Sequence, residues 1–190
     1  MRLVVAITGA SGAIFGIRIL EALREKNVET HLIVSKWGAF TIEQETGYKM
    51  SEVEKMASFF YNPDDLSAKV ASGSFKTDGM IVVPCSMKTL AGIAMGFADD
   101  LTTRAADVTI KEKRTLLLMV RETPLSPIHL ENMLKLSRIG VIIMPPLPAF
   151  YTRPATVDDM VNQTAARALE YFGVETEYMK RWEGKESLQN

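Results

Sequence analysis

Arg121-Glu122 follows the apolar run 116–120, so a cation and a carboxylate leave the end of a buried segment side by side. An arginine fork suits phosphate, and a glutamate suits proton transfer. The same pair on an open surface would be an ion pair of small energetic weight. Thr8-Gly9-Ala10-Ser11-Gly12 follows a second apolar run, 3–7, and precedes helical spacing at Ile14, Ile17, Leu20 and Leu23. A glycine turn between strand and helix aims backbone N–H groups and the positive helix end at an anion, with phosphate the natural guest. Glycines serving only close packing are the plain alternative. A dinucleotide would want an acid at the end of the second strand to hold the ribose. That strand ends in Ser35-Lys36, so a mononucleotide such as FMN fits better than NAD.

Further candidates stand at other segment ends. Ser86-Met87-Lys88-Thr89 sets two hydroxyls and an ammonium at a helix start, as anion ligands or as a serine cap beside an exposed lysine. Cys85 has no evident base and reads as a packing thiol, and Met87 as wall. Lys111 ends a helix, where it complements the dipole or serves a second phosphate. The proline-rich stretch 145–154 carries Phe150, Tyr151 and Arg153, and the helix behind it carries Arg167, which together suggest an aromatic wall with an anion clamp. Trp182, after Lys180-Arg181, is expected to dock on the core or on a neighbouring subunit. His31 and His129 have no metal-ligand spacing and read as structural. Asp64-Asp65, Asp99-Asp100 and Asp158-Asp159 lack the spacing of magnesium-diphosphate sites, so no metal is expected.

Strands are expected at 3–7, 30–34, 80–83, 116–120 and 141–144. Helices are expected after Gly12 as far as Asn27, from Ser35 towards Gly47, at 86–96, 101–113, 128–137 and 156–171. Ser51 and Glu54 suggest a capping box for a short helix through Ala57. The stretch 59–77 is the least regular. Strands alternating with helices imply a doubly wound parallel sheet with helices on both faces, a three-layer α/β fold. Ligands in such sheets sit beyond the carboxyl ends of the strands, which is where the residues above gather.

The 190 residues are the length of one domain, with segment 172–190 as a tail, and 47% hydrophobic residues can fill its core. Lys+Arg 22 against Asp+Glu 23 argues against a strongly basic nucleic-acid binder or a surface built for anionic membranes. The single cysteine excludes an intrachain disulfide framework and suits a reducing compartment, so a cytoplasmic protein is expected. No apolar run reaches spanning length, so no membrane span is expected.

Taken together, Thr8-Gly9-Ala10-Ser11-Gly12, Ser35-Lys36-Trp37, Pro84-Cys85-Ser86-Met87-Lys88-Thr89, Arg104-Ala105-Ala106-Asp107-Val108, Lys111-Glu112, Arg121-Glu122-Thr123-Pro124-Leu125, His129-Leu130-Glu131-Asn132-Met133 and Pro148-Ala149-Phe150-Tyr151 resemble the flavin prenyltransferases of the UbiX family. The resemblance runs from the first strand to Trp182. It implies a flavodoxin-like (Rossmann-type) domain assembled as a homododecamer with active sites at subunit junctions. It implies a reaction in which reduced FMN and dimethylallyl phosphate give prenylated reduced FMN and phosphate, flavin N5 attacking the allylic carbon and flavin C6 closing a ring. Gly9, Ala10, Ser11, Ser35, Ser86, Met87, Lys88, Thr89 and Arg121 match FMN contacts. Lys111, Tyr151 and Arg167 match positions holding dimethylallyl phosphate, with Arg121 and Glu122 near it, partly across subunits. Glu122 is implied for proton transfer, Ser11 for orienting the flavin near N5, and Trp182 for stabilising allylic cation character. The product serves a UbiD-type decarboxylase, in ubiquinone biosynthesis or aromatic acid decarboxylation. An FMN-dependent cysteine decarboxylase of the same fold and a flavodoxin-like electron carrier are the alternatives; Arg121-Glu122 with Lys111, Tyr151 and Arg167 favours a phosphate-bearing co-substrate over the thiol of the first, and the second leaves that cationic cluster without a purpose.

Overall fold

Four apolar runs become strands with almost every residue buried: β1 (Arg2–Ile7), β2 (Glu29–Val34), β4 (Gly79–Cys85) and β5 (Thr115–Val120). Both faces of these strands are covered, which is why their sequences show continuous apolar runs and no alternation. Two short edge strands, β3 (Phe59–Tyr61) and β6 (Ile142–Ile143), complete a six-stranded parallel sheet in the order β3-β2-β1-β4-β5-β6. The computed structural model describes residues 1–184.

One face carries α1 (Ala13–Glu25), α2 (Lys36–Glu45), α3 (Met50–Glu54) and α7 (Val157–Glu170), with Ile17, Leu20, Leu23, Ile42, Val53 and Leu169 in its core. The other carries α4 (Met87–Met95), α5 (Leu101–Lys111) and α6 (Pro127–Arg138), with Leu90, Ile93, Leu101, Met133 and Leu136 inside. Serine, aspartate or threonine side chains start five of these helices: Ser35, Ser86, Asp100, Ser126 and Thr156 each accept from a backbone N–H of the first turn.

Three local expectations are corrected. The irregular stretch 59–77 contains β3, an edge strand that pairs His31–Ile33 with Phe59–Tyr61. Omitting it leaves the flavodoxin order 2-1-3-4-5, and including it gives 3-2-1-4-5-6, so one three-residue strand separates the two descriptions of this fold. The capping interaction expected at Ser51 and Glu54 lies two residues earlier, where Lys49 N–H donates to Glu52 Oε2 at 2.7 Å. The fourth strand continues through Pro84 to Cys85, with the Val83–Pro84 peptide bond cis. Tail residues Phe172 and Val174 are buried against the α7 face; residues 185–190 of the expected tail lie outside the described residues.

Candidate active site

The chain reverses its winding between β1 and β4, and at the carboxyl ends of these strands lies a cleft of about 720 Å³. Thr8, at the end of β1, ties its two sides together: the hydroxyl donates to the Pro84 carbonyl at 2.7 Å and accepts from Ser86 N–H at 2.9 Å. That fixes the start of α4 against the glycine turn. Ser86 then caps α4 by accepting from Thr89 N–H, and Arg121 N–H donates to the Cys85 carbonyl at 3.1 Å, placing the end of β5 beside it. On the far side Gly9 is forced by approach rather than by backbone angle. A Cβ there would stand 2.3 Å from Trp37 Cβ, so only glycine lets α2 close over the turn.

Every residue expected to contact FMN lines this one cleft: Gly9, Ala10, Ser11, Ser35, Ser86, Met87, Lys88, Thr89 and Arg121. Glu122 lines it too, its Oε1 accepting from Thr123 N–H at 2.9 Å. Cys85 is fully buried in the core behind the cleft, and burial pushes its thiol pKa far up, which fits packing and not nucleophilic chemistry.

The anion sites are distributed differently from the expectation. The α1 start, expected to hold phosphate, is filled by the chain itself: Glu45 Oε2 accepts from Gly12 N–H at 2.7 Å and from Ala13 N–H at 3.2 Å. The starts of α2 and α4 face the cleft instead, each with its first N–H groups unclaimed among the described residues. The Arg121 guanidinium and the Ser11 hydroxyl likewise have no partner among the described residues, although both line the cavity. Two helix starts, a cation and a cavity of this size fit a phosphate-bearing flavin, and the absence of an acid at the end of β2 fits a mononucleotide.

Sequence reasoning missed the mouth. Lys36, Trp37, Pro63, Asp64, Asp99 and Asp100 line the cleft, the last two within 3.7 and 3.5 Å of Lys88 Nζ. The α2 start signals Lys36 and Trp37, whereas Pro63 and Asp64 come from the irregular stretch and carry no local signal. Among the described residues no group of three or more His, Cys, Asp or Glu is placed to hold a metal ion.

The remaining expected residues lie elsewhere. Tyr151, Arg167 and Trp182 form a second cluster beside α7: the Tyr151 and Trp182 rings meet edge to face at 5.9 Å. Arg167 pairs with Glu170 at 2.6 Å and lies over the Tyr171 ring; Glu170 also holds Arg181 at 2.5 Å. The two arginines lower the Glu170 pKa, Arg167 most. None of the three expected residues lines the cleft. Lys111 ends α5 at the amino edge of the sheet, opposite the cleft, where it pairs with Glu112 and holds that carboxyl below its usual range. One chain therefore brings together the residues matched to FMN contacts and leaves those matched to the co-substrate in two other places.

The family model described as Flavoprotein matches residues 1–169, the class that this sheet and its cleft define. A probable UbiX-like flavin prenyltransferase of Escherichia coli O157:H7 is 58% identical over 191 residues, covering 100% of this chain and 97% of its own. The chain belongs to the UbiX-like flavin prenyltransferases within that family. Among solved structures, a dodecameric FMN-dependent UbiX-like decarboxylase from Escherichia coli O157:H7 is 59% identical with a TM-score of 0.95, over 97% of this chain and 100% of that one. AnUbiX in complex with FMN and dimethylallyl pyrophosphate is 54% identical with a TM-score of 0.95, over 96% and 97%. The FMN-dependent cysteine decarboxylase TvaF is 15% identical with a TM-score of 0.63, a likeness of fold alone.

Proposed function

We propose that this enzyme joins the dimethylallyl group of dimethylallyl phosphate to N5 and C6 of reduced FMN and releases phosphate. The carrying observation is that all nine residues matched to FMN contacts converge with Glu122 on one cleft in which Arg121 has no side-chain partner among the described residues. Reduced FMN supplies the nucleophilic nitrogen and carbon. The α2 and α4 starts, with Ser35, Ser86 and Thr89, hold its phosphate through N–H and O–H donors. Ser11 orients the flavin near N5, and Arg121 places a positive charge between flavin and co-substrate. Glu122 holds or moves the proton, its carboxylate set at the cleft by the end of β5.

Lys111, Tyr151 and Arg167 bind the departing phosphate, whose growing charge their cation and hydroxyl groups stabilise. Trp182 and Tyr151 face the allylic group as an aromatic wall that favours cation character. In one chain these residues lie apart from the cleft, so neighbouring chains supply them in an oligomer, a homododecamer like the Escherichia coli relative. Exposed Ile128, Leu134, Phe97, Leu147 and Phe150 supply apolar surface for such contacts. The chain acts as one flavoprotein domain in the cytoplasm, and its product passes to a UbiD-type decarboxylase. No helix among the described residues is long and apolar enough to cross a membrane.

The test is an anaerobic incubation of the enzyme with reduced FMN and dimethylallyl phosphate, then mass spectrometry of the extracted flavin. A flavin heavier by one five-carbon prenyl unit, absent without enzyme, is expected; unmodified FMN from saturated enzyme overturns the reading. Dimethylallyl pyrophosphate, present in the AnUbiX complex, is run in parallel, and the monophosphate is expected to be the better substrate.

A further inference from the structure

Gln163 lies on the inner side of α7 and is only 6% exposed. Its side-chain amide meets the backbone of Lys180, 17 residues further on. Nε2 donates to the Lys180 carbonyl and Oε1 accepts from the Lys180 N–H, both at 2.9 Å. A side-chain amide that engages both main-chain groups of one residue acts as a strand partner would, fixing the direction of the segment as well as its position.

The same residue is the centre of the second cluster. The Tyr151 hydroxyl donates to the Lys180 carbonyl at 3.3 Å, Arg181 pairs with Glu170, and Trp182 packs on Tyr151. In the single chain Arg181 and Trp182 are both more than half exposed, so their contacts alone hold the tail weakly there, whereas the Gln163 amide works in a nearly closed setting. A shorter or apolar side chain at this position would leave the Lys180 N–H without its partner and its carbonyl with only the longer bond from Tyr151, and would free the tail to turn about residue 180.

We propose that Gln163 is a positioning residue whose amide clamps Lys180, so that Arg181 and Trp182 are held against Glu170 and Tyr151 and the wall for dimethylallyl phosphate is complete. The inference rests on the reading of Tyr151, Arg167 and Trp182 as co-substrate residues. It touches no residue of the FMN cleft.

Gln163→Leu keeps the bulk and removes both hydrogen bonds, and Gln163→Glu keeps the acceptor for Lys180 N–H and loses the donor. Three readouts are taken on the intact oligomer: FMN affinity by fluorescence quenching, tryptic cleavage after Lys180 and Arg181 by mass spectrometry, and steady-state KM and kcat for dimethylallyl phosphate. In Gln163→Leu, cleavage is expected to quicken about tenfold or more, the worth of two lost hydrogen bonds, and KM to rise by a similar factor while FMN affinity holds. Gln163→Glu should fall between it and the parent. Unchanged cleavage overturns the clamp. Quicker cleavage with unchanged KM overturns the positioning role, provided Arg167→Ala raises KM in the same assay. If Arg167→Ala leaves KM unchanged, the co-substrate reading has failed, and the positioning role falls with it. Should Gln163→Leu lose FMN and therefore its fold, the same criteria are applied to Gln163→Glu.

Discussion

The two edges of the sheet carry polar clusters of opposite character. At the amino edge, His31 is 1% exposed and stacked between Phe59 at 4.9 Å and Tyr61 at 5.7 Å, with Phe75 edge-on at 5.1 Å. Its Nδ1 meets the Tyr61 hydroxyl at 2.8 Å and its Nε2 meets Glu29 Oε1 at 2.9 Å; Glu29 in turn takes two hydrogen bonds from Arg2. Each polar group there has its partner. At the carboxyl edge the Arg121 guanidinium, the Ser11 hydroxyl and the first N–H groups of α2 and α4 have none among the described residues. Saturated networks hold a fold together, while donors left unused around a cavity are matched to a ligand.

The sharpest way to break this contrast is at Glu122. Glu122→Gln keeps the shape and removes the ionisable oxygen, so kcat is expected to fall by about 10² to 10⁴, the usual worth of a positioned proton-transfer group. FMN affinity, measured by flavin fluorescence, should stay within twofold. Equal loss of binding and turnover would make Glu122 a structural residue and the cleft less of a site than it looks. Next in size is Arg167→Ala, expected to raise KM for dimethylallyl phosphate about tenfold to a hundredfold through one lost charge-assisted hydrogen bond, with FMN affinity untouched. Lys111 extends the same test across chains. Mixed oligomers reassembled from Lys111→Ala and Glu122→Gln protomers should recover activity that neither parent shows, because some sites then receive an intact residue of each kind. No recovery would place the complete site within one chain.

What could be read from the sequence follows the same division. Strands β1, β2, β4 and β5 announce themselves because burial on both faces demands unbroken apolar runs, and the loops that follow them carry the residues matched to FMN contacts. β3 does not, because Phe59 and Phe60 are exposed on an edge and pair on one side only. Within the cleft, Ser35 and Ser86 are visible as helix caps, a signal confined to four residues. Glu45 reaches the α1 start from 33 residues away, and Pro63, Asp64 and Asp99 arrive by folding of connecting loops, so no local pattern marks them. Lys111 shows the limit most clearly: its type suits a phosphate, but its own chain sets it at the wrong edge of the sheet for the cleft.

The smallest effects are expected at the saturated edge, and they should fall on stability alone. His31→Ala removes a buried ring from an aromatic stack, a change costing about 2–4 kcal/mol, or roughly 5–10 °C in the apparent midpoint of thermal unfolding. FMN affinity and turnover at a temperature well below that midpoint should match the parent. Acid offers a finer probe. Burial lowers the His31 pKa, outweighing the pull of Glu29 in the other direction, so folding favours the neutral ring. Its contribution is present above the unfolded value of about 6.5 and is lost as pH falls below it, because the unfolded chain takes up the proton first. Glu29, held at about 2 chiefly by its hydrogen bonds from Arg2 and next by His31, adds a second loss as pH falls from about 4.5 towards that value. Denaturant titrations of the parent and His31→Ala between pH 7 and 5 separate the two windows: the parent should weaken across this range and the variant should stay flat. A parallel slope in both proteins would move the titration to another group and leave His31 as packing alone.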